Sequence, residues 1–174
     1  SKEKLFLAFE ESNGYMAKPF VRDKDAIQIV PLIIKYKNLL YENNITLKDT
    51  LDDIYRTIGH YHSINLSPVF EGAEGQHKIE EIINSFRNKT IHQVCGLDVK
   101  AIEDYQLGTI ENIESGEKDA TYLPNTNLIR LIFDEGFIAI RPSGTEPKIK
   151  IYFSLNVNNI ENLIKEFKET YIEY

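Results

Sequence analysis

The segment Arg141-Pro142-Ser143-Gly144-Thr145-Glu146-Pro147-Lys148 holds the densest chemistry in the chain. Its contents suit a phosphate. The Arg141 guanidinium is a planar fork that can grip two phosphate oxygens at once. The hydroxyls of Ser143 and Thr145 can donate to further oxygens, and Gly144 lets backbone N–H groups approach in a nest-like concavity. Pro142 and Pro147 stiffen the segment and lower the entropy cost of closing on a ligand. The same residues could instead close a tight β-turn whose small polar side chains satisfy their own backbone; composition alone leaves both readings open.

Other chemistry-bearing residues are weaker. His60 and His62 would face the same way on a strand, but no Cys or His at a familiar metal-ligand spacing joins them. Cys95 has no recognisable partner and reads as core filling. Tyr61, Tyr105 and Tyr152 read as packing residues. No Walker loop and no dinucleotide fingerprint is present. Arg22-Asp23-Lys24-Asp25 is a charge cluster at a predicted helix start, where aspartates complement the helix dipole.

These residues need elements to hold them. Leu5-Phe6-Leu7-Ala8-Phe9 is an apolar run of the kind found in buried, often parallel strands. Only Ser1–Lys4 precede it, so the expectation is that upstream sequence has been removed. Glu10–Gly14 is a polar loop. A helical period runs from about Asp25 to Tyr41, with Pro31 starting, kinking or splitting it. Thr46-Leu47-Lys48-Asp49 resembles a capping box with Asp in place of Glu, opening a helix that Gly59 ends. The period then drops to two residues over Tyr61–Ser67, which predicts a half-buried strand. Gly72 and Gly75 punctuate a loop before a helix bearing Ile79, Ile82, Ile83 and Phe86. Strands are predicted at Val94–Ala101, Asp104–Ile110, Leu128–Phe133, Phe137–Arg141 and Ile149–Leu155, then a final helix from Ile160 to Tyr171. The phosphate-suited segment thus lies between two strands. The second part reads as an antiparallel sheet covered by two helices, an α+β arrangement, and the first as the remnant of an α/β domain. The domain boundary falls near Gly59–His60, giving 1–59 and 60–174.

The 174 residues carry a formal net charge of −7, which excludes general affinity for nucleic acid or anionic membranes. With 42% hydrophobic and 27% charged residues, the composition is that of an ordinary globular protein with a real core. No apolar run approaches a membrane span. The single cysteine cannot form an internal disulfide, which points to a reducing cytoplasm.

Arg141–Lys148 resembles the phosphate-binding loop in the last domain of the α-D-phosphohexomutases. Phe9–Gly14 resembles the sugar-binding loop in the third domain of that family, and Val21–Ala26 the segment that follows it. The spelling of the latter two leans towards the glucose-preferring branch. The three matches occur in the family's order and span most of the chain. The resemblance implies that Glu10 and Ser12 hydrogen-bond two adjacent hydroxyls of a phosphorylated hexose. It also implies that Lys24 lies near the phosphate being transferred, and that Arg141, Ser143, Gly144 and Thr145 hold the other phosphate. Family members interconvert hexose 1-phosphate and hexose 6-phosphate through a phosphoserine, Mg²⁺ and a hexose 1,6-bisphosphate intermediate. Their serine loop (Thr-Ala-Ser-His-Asn-Pro-like) and metal loop (Asp-Gly-Asp-Gly-Asp-Arg-like) do not occur here. The implied reading is a fragment, the end of the third domain plus all of the fourth, whose partners are the missing N-terminal domains and which is inactive alone. A free-standing phosphosugar-binding module without catalysis is the alternative.

Overall fold

The computed structural model of the chain describes residues 7–10, 14–18 and 23–173. Of the segments singled out above, Leu5-Phe6, residues 11–13 with Ser12, and Val21-Arg22 lie outside them. The chain divides into two compact units, Ser1–Ile58 and Gly59–Tyr174.

In the first unit, β1 (Ala8–Glu10) and β2 (Gly14–Met16) form an antiparallel hairpin in which Glu10 faces Gly14. Of the expected strand Leu5–Phe9, Leu5 and Phe6 lie outside the described residues; Phe9 is 72% exposed, and β2 is the one strand paired with β1 among the described residues. A three-residue connection can only return the chain antiparallel, which fixes that pairing. The Asp25 carboxylate accepts from the Ile27 N–H at 3.0 Å and caps a 3₁₀ turn, Ala26–Gln28. From that turn α1 (Ile29–Glu42) continues, with Pro31 in the first turn, where its missing N–H costs nothing. Asn44, at φ 55°, ends α1 in a Schellman motif, with Ile45 N–H donating to the Leu40 carbonyl and Asn44 N–H to that of Tyr41. The capping box of α2 (Leu47–Ile58) forms as its spelling predicts. Thr46 N–H donates to the Asp49 carboxylate at 2.8 Å, and Asp49 N–H to the Thr46 hydroxyl at 3.0 Å. Gly59, at φ 107°, closes α2.

The second unit is built on a seven-stranded antiparallel sheet in the order β3-β11-β10-β9-β6-β7-β8. The strands are β3 (His62–Leu66), β6 (Ala101–Asp104), β7 (Thr109–Asn112), β8 (Lys118–Ala120), β9 (Ile129–Phe133), β10 (Gly136–Pro142) and β11 (Ile149–Leu155). A separate two-residue-strand hairpin, β4 (Gln93–Val94) with β5 (Leu97–Asp98), turns through Cys95 and Gly96, at φ 47° and 76°. Two positive φ values in a two-residue loop define a type I′ turn. This turn is why the stretch Val94–Ala101 is not one strand. A second turn through Gly108 (φ 69°) likewise splits the strand expected over Asp104–Ile110.

Helices α3 (Gly72–Arg87) and α4 (Ile160–Tyr171) cover one face of the sheet. Ile149, Ile151, Phe153 and Leu155 alternate inward along β11 and meet Ile82 and Phe86 of α3 and Phe167 of α4 in one buried cluster. The Phe153 and Phe167 rings pack edge to face at 5.3 Å. Each fully buried side chain of this size contributes roughly 1.5–3 kcal/mol. Gly72 and Gly75 belong to the first turns of α3 rather than to a loop before it. The close approach of the chain explains Gly75: a Cβ there would collide with the Phe70 carbonyl oxygen.

Candidate functional site

The loop from Pro142 to Ile149 joins β10 to β11, whose pairing ends at Pro142 opposite Ile149. It is fastened on three sides. Across its base the Ser143 N–H donates to the Lys148 carbonyl at 2.9 Å. Within it, the Lys148 N–H donates to the Glu146 carbonyl at 2.7 Å, and the Lys148 ammonium meets the Glu146 carboxylate at 2.6 Å. That ammonium holds the Glu146 carboxyl below its ordinary range. On the flank leading to α3, the Phe70 N–H donates to the Pro147 carbonyl at 2.8 Å and Val69 bridges to Lys148. The fourth side opens onto a cavity of about 520 Å³ lined by the loop, Gln76 and Asn127.

Ser143 and Thr145 line this cavity, and among the described residues neither hydroxyl meets a hydrogen-bond partner. The turn that satisfies its own backbone is therefore not what forms. Nothing lies within 4 Å of where a Cβ on Gly144 would stand, and its backbone is not in the left-handed region. What Gly144 offers is open access, not a positive-φ nest.

Arg141 sits on the entering strand, exposed, directly across from Lys150. It flanks the cavity without lining it. Among the described residues it has no carboxylate partner. Like charges directly opposed on neighbouring strands are unfavourable, and an anion nearby relieves them.

In the first unit the structure brings Glu10 and Lys24 together, although the two lie in separate segments. The Lys24 ammonium lies 3.7 Å from the Glu10 carboxylate and 3.3 Å from that of Asp23. Asp23 first, and Glu10 after it, hold that ammonium above its ordinary pKa. Asp25 N–H donates to the Tyr15 carbonyl at 2.8 Å, tying the Lys24 segment to the hairpin. Gly14 makes the packing possible, since a Cβ there would strike the side chains of both Lys24 and Glu10. Ser12 lies outside the described residues.

Two residues at the loop cavity, Gln76 and Asn127, escape a reading of the sequence because they come from separate segments, α3 and the approach to β9. The His60 and His62 rings lie with centres 4.5 Å apart, tilted by 37°. Among the described residues no group of three His, Cys, Asp or Glu side chains could hold a metal ion. No helix is long and apolar enough to cross a membrane.

Residues 98–154, which run from β5 to β11 and include the loop, match the family model "Phosphoglucomutase/phosphomannomutase, C-terminal domain". Over 170 residues the chain is 55% identical to a phosphoglucomutase of Staphylococcus saprophyticus, covering 98% of this chain and 31% of that protein. Phosphoglucomutases of Staphylococcus haemolyticus and Staphylococcus aureus are 49% and 47% identical, each over 94% of this chain and 30% of their own length. The crystal structure of pp63/parafusin, a phosphoglucomutase from Paramecium in its open form, superimposes with a TM-score of 0.59 at 20% identity. It covers 91% of this chain and 28% of that one, a likeness of fold.

An antiparallel sheet backed by two helices, with this loop between two of its neighbouring strands, is thus the fold of a phosphohexomutase-type C-terminal domain. The chain is similar to the phosphoglucomutase/phosphomannomutase family, whose C-terminal domain matches residues 98–154, and it spans about a third of the length of the curated relatives it matches.

Proposed function

We propose that this chain is the substrate-gripping C-terminal part of a cytoplasmic phosphoglucomutase-type enzyme that interconverts hexose 1-phosphate and hexose 6-phosphate. One observation carries the reading. Two unpartnered hydroxyls and an uncovered glycine share one cavity, beside a pair of like-charged side chains, on a loop pinned at its base. A loop already held in shape binds an anion without the entropy cost of ordering itself.

The chemistry then divides by residue. Ser143 and Thr145 donate their hydroxyls to the phosphate that is not reacting, and the N–H groups around Gly144 approach it unobstructed. Arg141 turns its fork onto two oxygens of the same group. Glu10, with Ser12, accepts and donates at two adjacent ring hydroxyls, which hold similar positions whichever end of the sugar is presented. Lys24 supplies positive charge near the phosphate in transfer. The intermediate is a bisphosphorylated sugar that must turn between two half-reactions, and positioning by contacts of either kind is worth several kcal/mol of barrier. Mg²⁺ and the phosphoserine belong to the remaining part of the full-length protein, with hexose 1,6-bisphosphate as intermediate and activator. No step through the metal involves the residues described here, and the chain alone is expected to be inactive.

The test is Arg141→Ala in the full-length protein. Loss of a charge-assisted pair should lower kcat/KM for glucose 1-phosphate by about 100-fold. Unchanged kcat/KM would remove Arg141 from the site.

A further inference from the structure

Asn127 borders the loop cavity, and its amide is oriented by a chain of contacts that starts in the interior. The Asp104 carboxylate is nearly buried, with its side chain 7% exposed, and it accepts at both oxygens. Oδ1 takes the N–H groups of Gln106 and Leu107 at 2.9 and 3.1 Å, and Oδ2 takes Arg87 Nε at 2.7 Å. The Arg87 side chain, 11% exposed, is thereby fixed at the end of α3. Its Nη2 donates to Asn127 Oδ1 at 2.9 Å. A guanidinium has no acceptor, so only the amide oxygen can face it, and this settles which way the amide points. The Nδ2 group is then what Asn127 has left to offer, and among the described residues it has no acceptor.

We infer that Asn127 is a phosphate-binding residue: its Nδ2 group donates to the same phosphate as the Pro142–Pro147 loop, with Arg87 and Asp104 as the residues that position it. The inference rests on the reading of the loop given above. A neutral amide adds a directed donor beside a loop already flanked by Arg141 and Lys150, and it does so without a further charge to desolvate. Arg87 itself is held on the nearly buried Asp104 carboxylate and does not line the loop cavity.

Aspartate and alanine at position 127 separate a ligand donor from a structural acceptor. Aspartate keeps an oxygen for Arg87, so a merely structural Asn127 tolerates Asn127→Asp better than Asn127→Ala. As a donor to phosphate it shows the reverse order, because aspartate replaces N–H groups with a negative charge beside an anion. The experiment is calorimetric titration of the full-length protein, wild type and variants, with glucose 1-phosphate in the absence of added Mg²⁺. Asn127→Ala should weaken binding about tenfold, and Asn127→Asp should weaken it more, with both variants melting close to wild type. Asn127→Asp binding as tightly as wild type, or Asn127→Ala without loss, overturns the assignment. Arg141→Ala, titrated in parallel, separates the two claims. If it loses binding while Asn127→Asp does not, Asn127 alone is misassigned. If Arg141→Ala also binds normally, the loop itself does not hold the phosphate and both readings fall.

Discussion

Cys95 shows how far a residue's chemistry depends on where the fold puts it. Packing against the core and, secondarily, the Glu166 charge push its thiol from 9.0 up to about 11. The sign follows from which state ionises first. Below pH 9 the thiol is protonated folded and unfolded alike. Between there and about pH 11 the unfolded chain loses its proton first, so stability falls as pH rises. At pH 8 the thiolate fraction in the folded protein should be about 100-fold lower than in the unfolded chain, and iodoacetamide should alkylate it correspondingly more slowly. Equal rates with and without denaturant would contradict this placement. The candidate site is unevenly legible at this scale. Arg141, Ser143, Gly144 and Thr145 could be read directly because they are contiguous, and their types alone suggest an oxyanion. The Glu10–Lys24 contact could not, because it depends on how two segments pack. Nor could Asn127, whose link to Arg87 joins residues far apart in sequence.

Among the elements, periodicity and caps carried the most information. The alternation of Ile149, Ile151, Phe153 and Leu155 specifies β11 because one face packs on helices and the other does not. Thr46 and Asp49 specify the start of α2 through bonds they make to each other. Short elements were less legible: β8 has three residues, all exposed, and nothing in its spelling distinguishes it from a loop. The Cys95-Gly96 turn was missed because cysteine seldom takes a positive φ. Gly136 opens β10, just after the Asp134-Glu135 turn of the β9–β10 hairpin. Its φ is 138°, and a Cβ there would run into the Ser154 carbonyl oxygen on β11. Gly136→Ala should therefore cost about 1–3 kcal/mol, seen as a lower midpoint in denaturant. An unshifted midpoint would mean that β10 and β11 are less closely pinned at that end than the pairing implies.

For the molecule as a whole, the two units differ in what holds them together. Gly59–Tyr174 has a continuous core of fully buried side chains from the sheet, α3 and α4. In the first unit, neither α1 nor α2 contains a buried residue, and Ile33, Ile34, Leu51 and Ile54 are exposed. Helices of 14 and 12 residues with so little packed against them are marginal in water. Residues 59–174 expressed alone should melt in one cooperative transition by circular dichroism, whereas residues 1–58 alone should show none; a cooperative transition in the shorter piece would contradict this. Against the acidic balance of the whole chain, Arg141 and Lys150 stand as like charges facing each other across neighbouring strands. The most direct measurement is a crystal structure of the full-length protein with glucose 1-phosphate. The account predicts phosphate oxygens within about 3 Å of the Ser143 and Thr145 hydroxyls and of the amides around Gly144. Those hydroxyls turned onto their own backbone, with the phosphate bound at some other place, would contradict it.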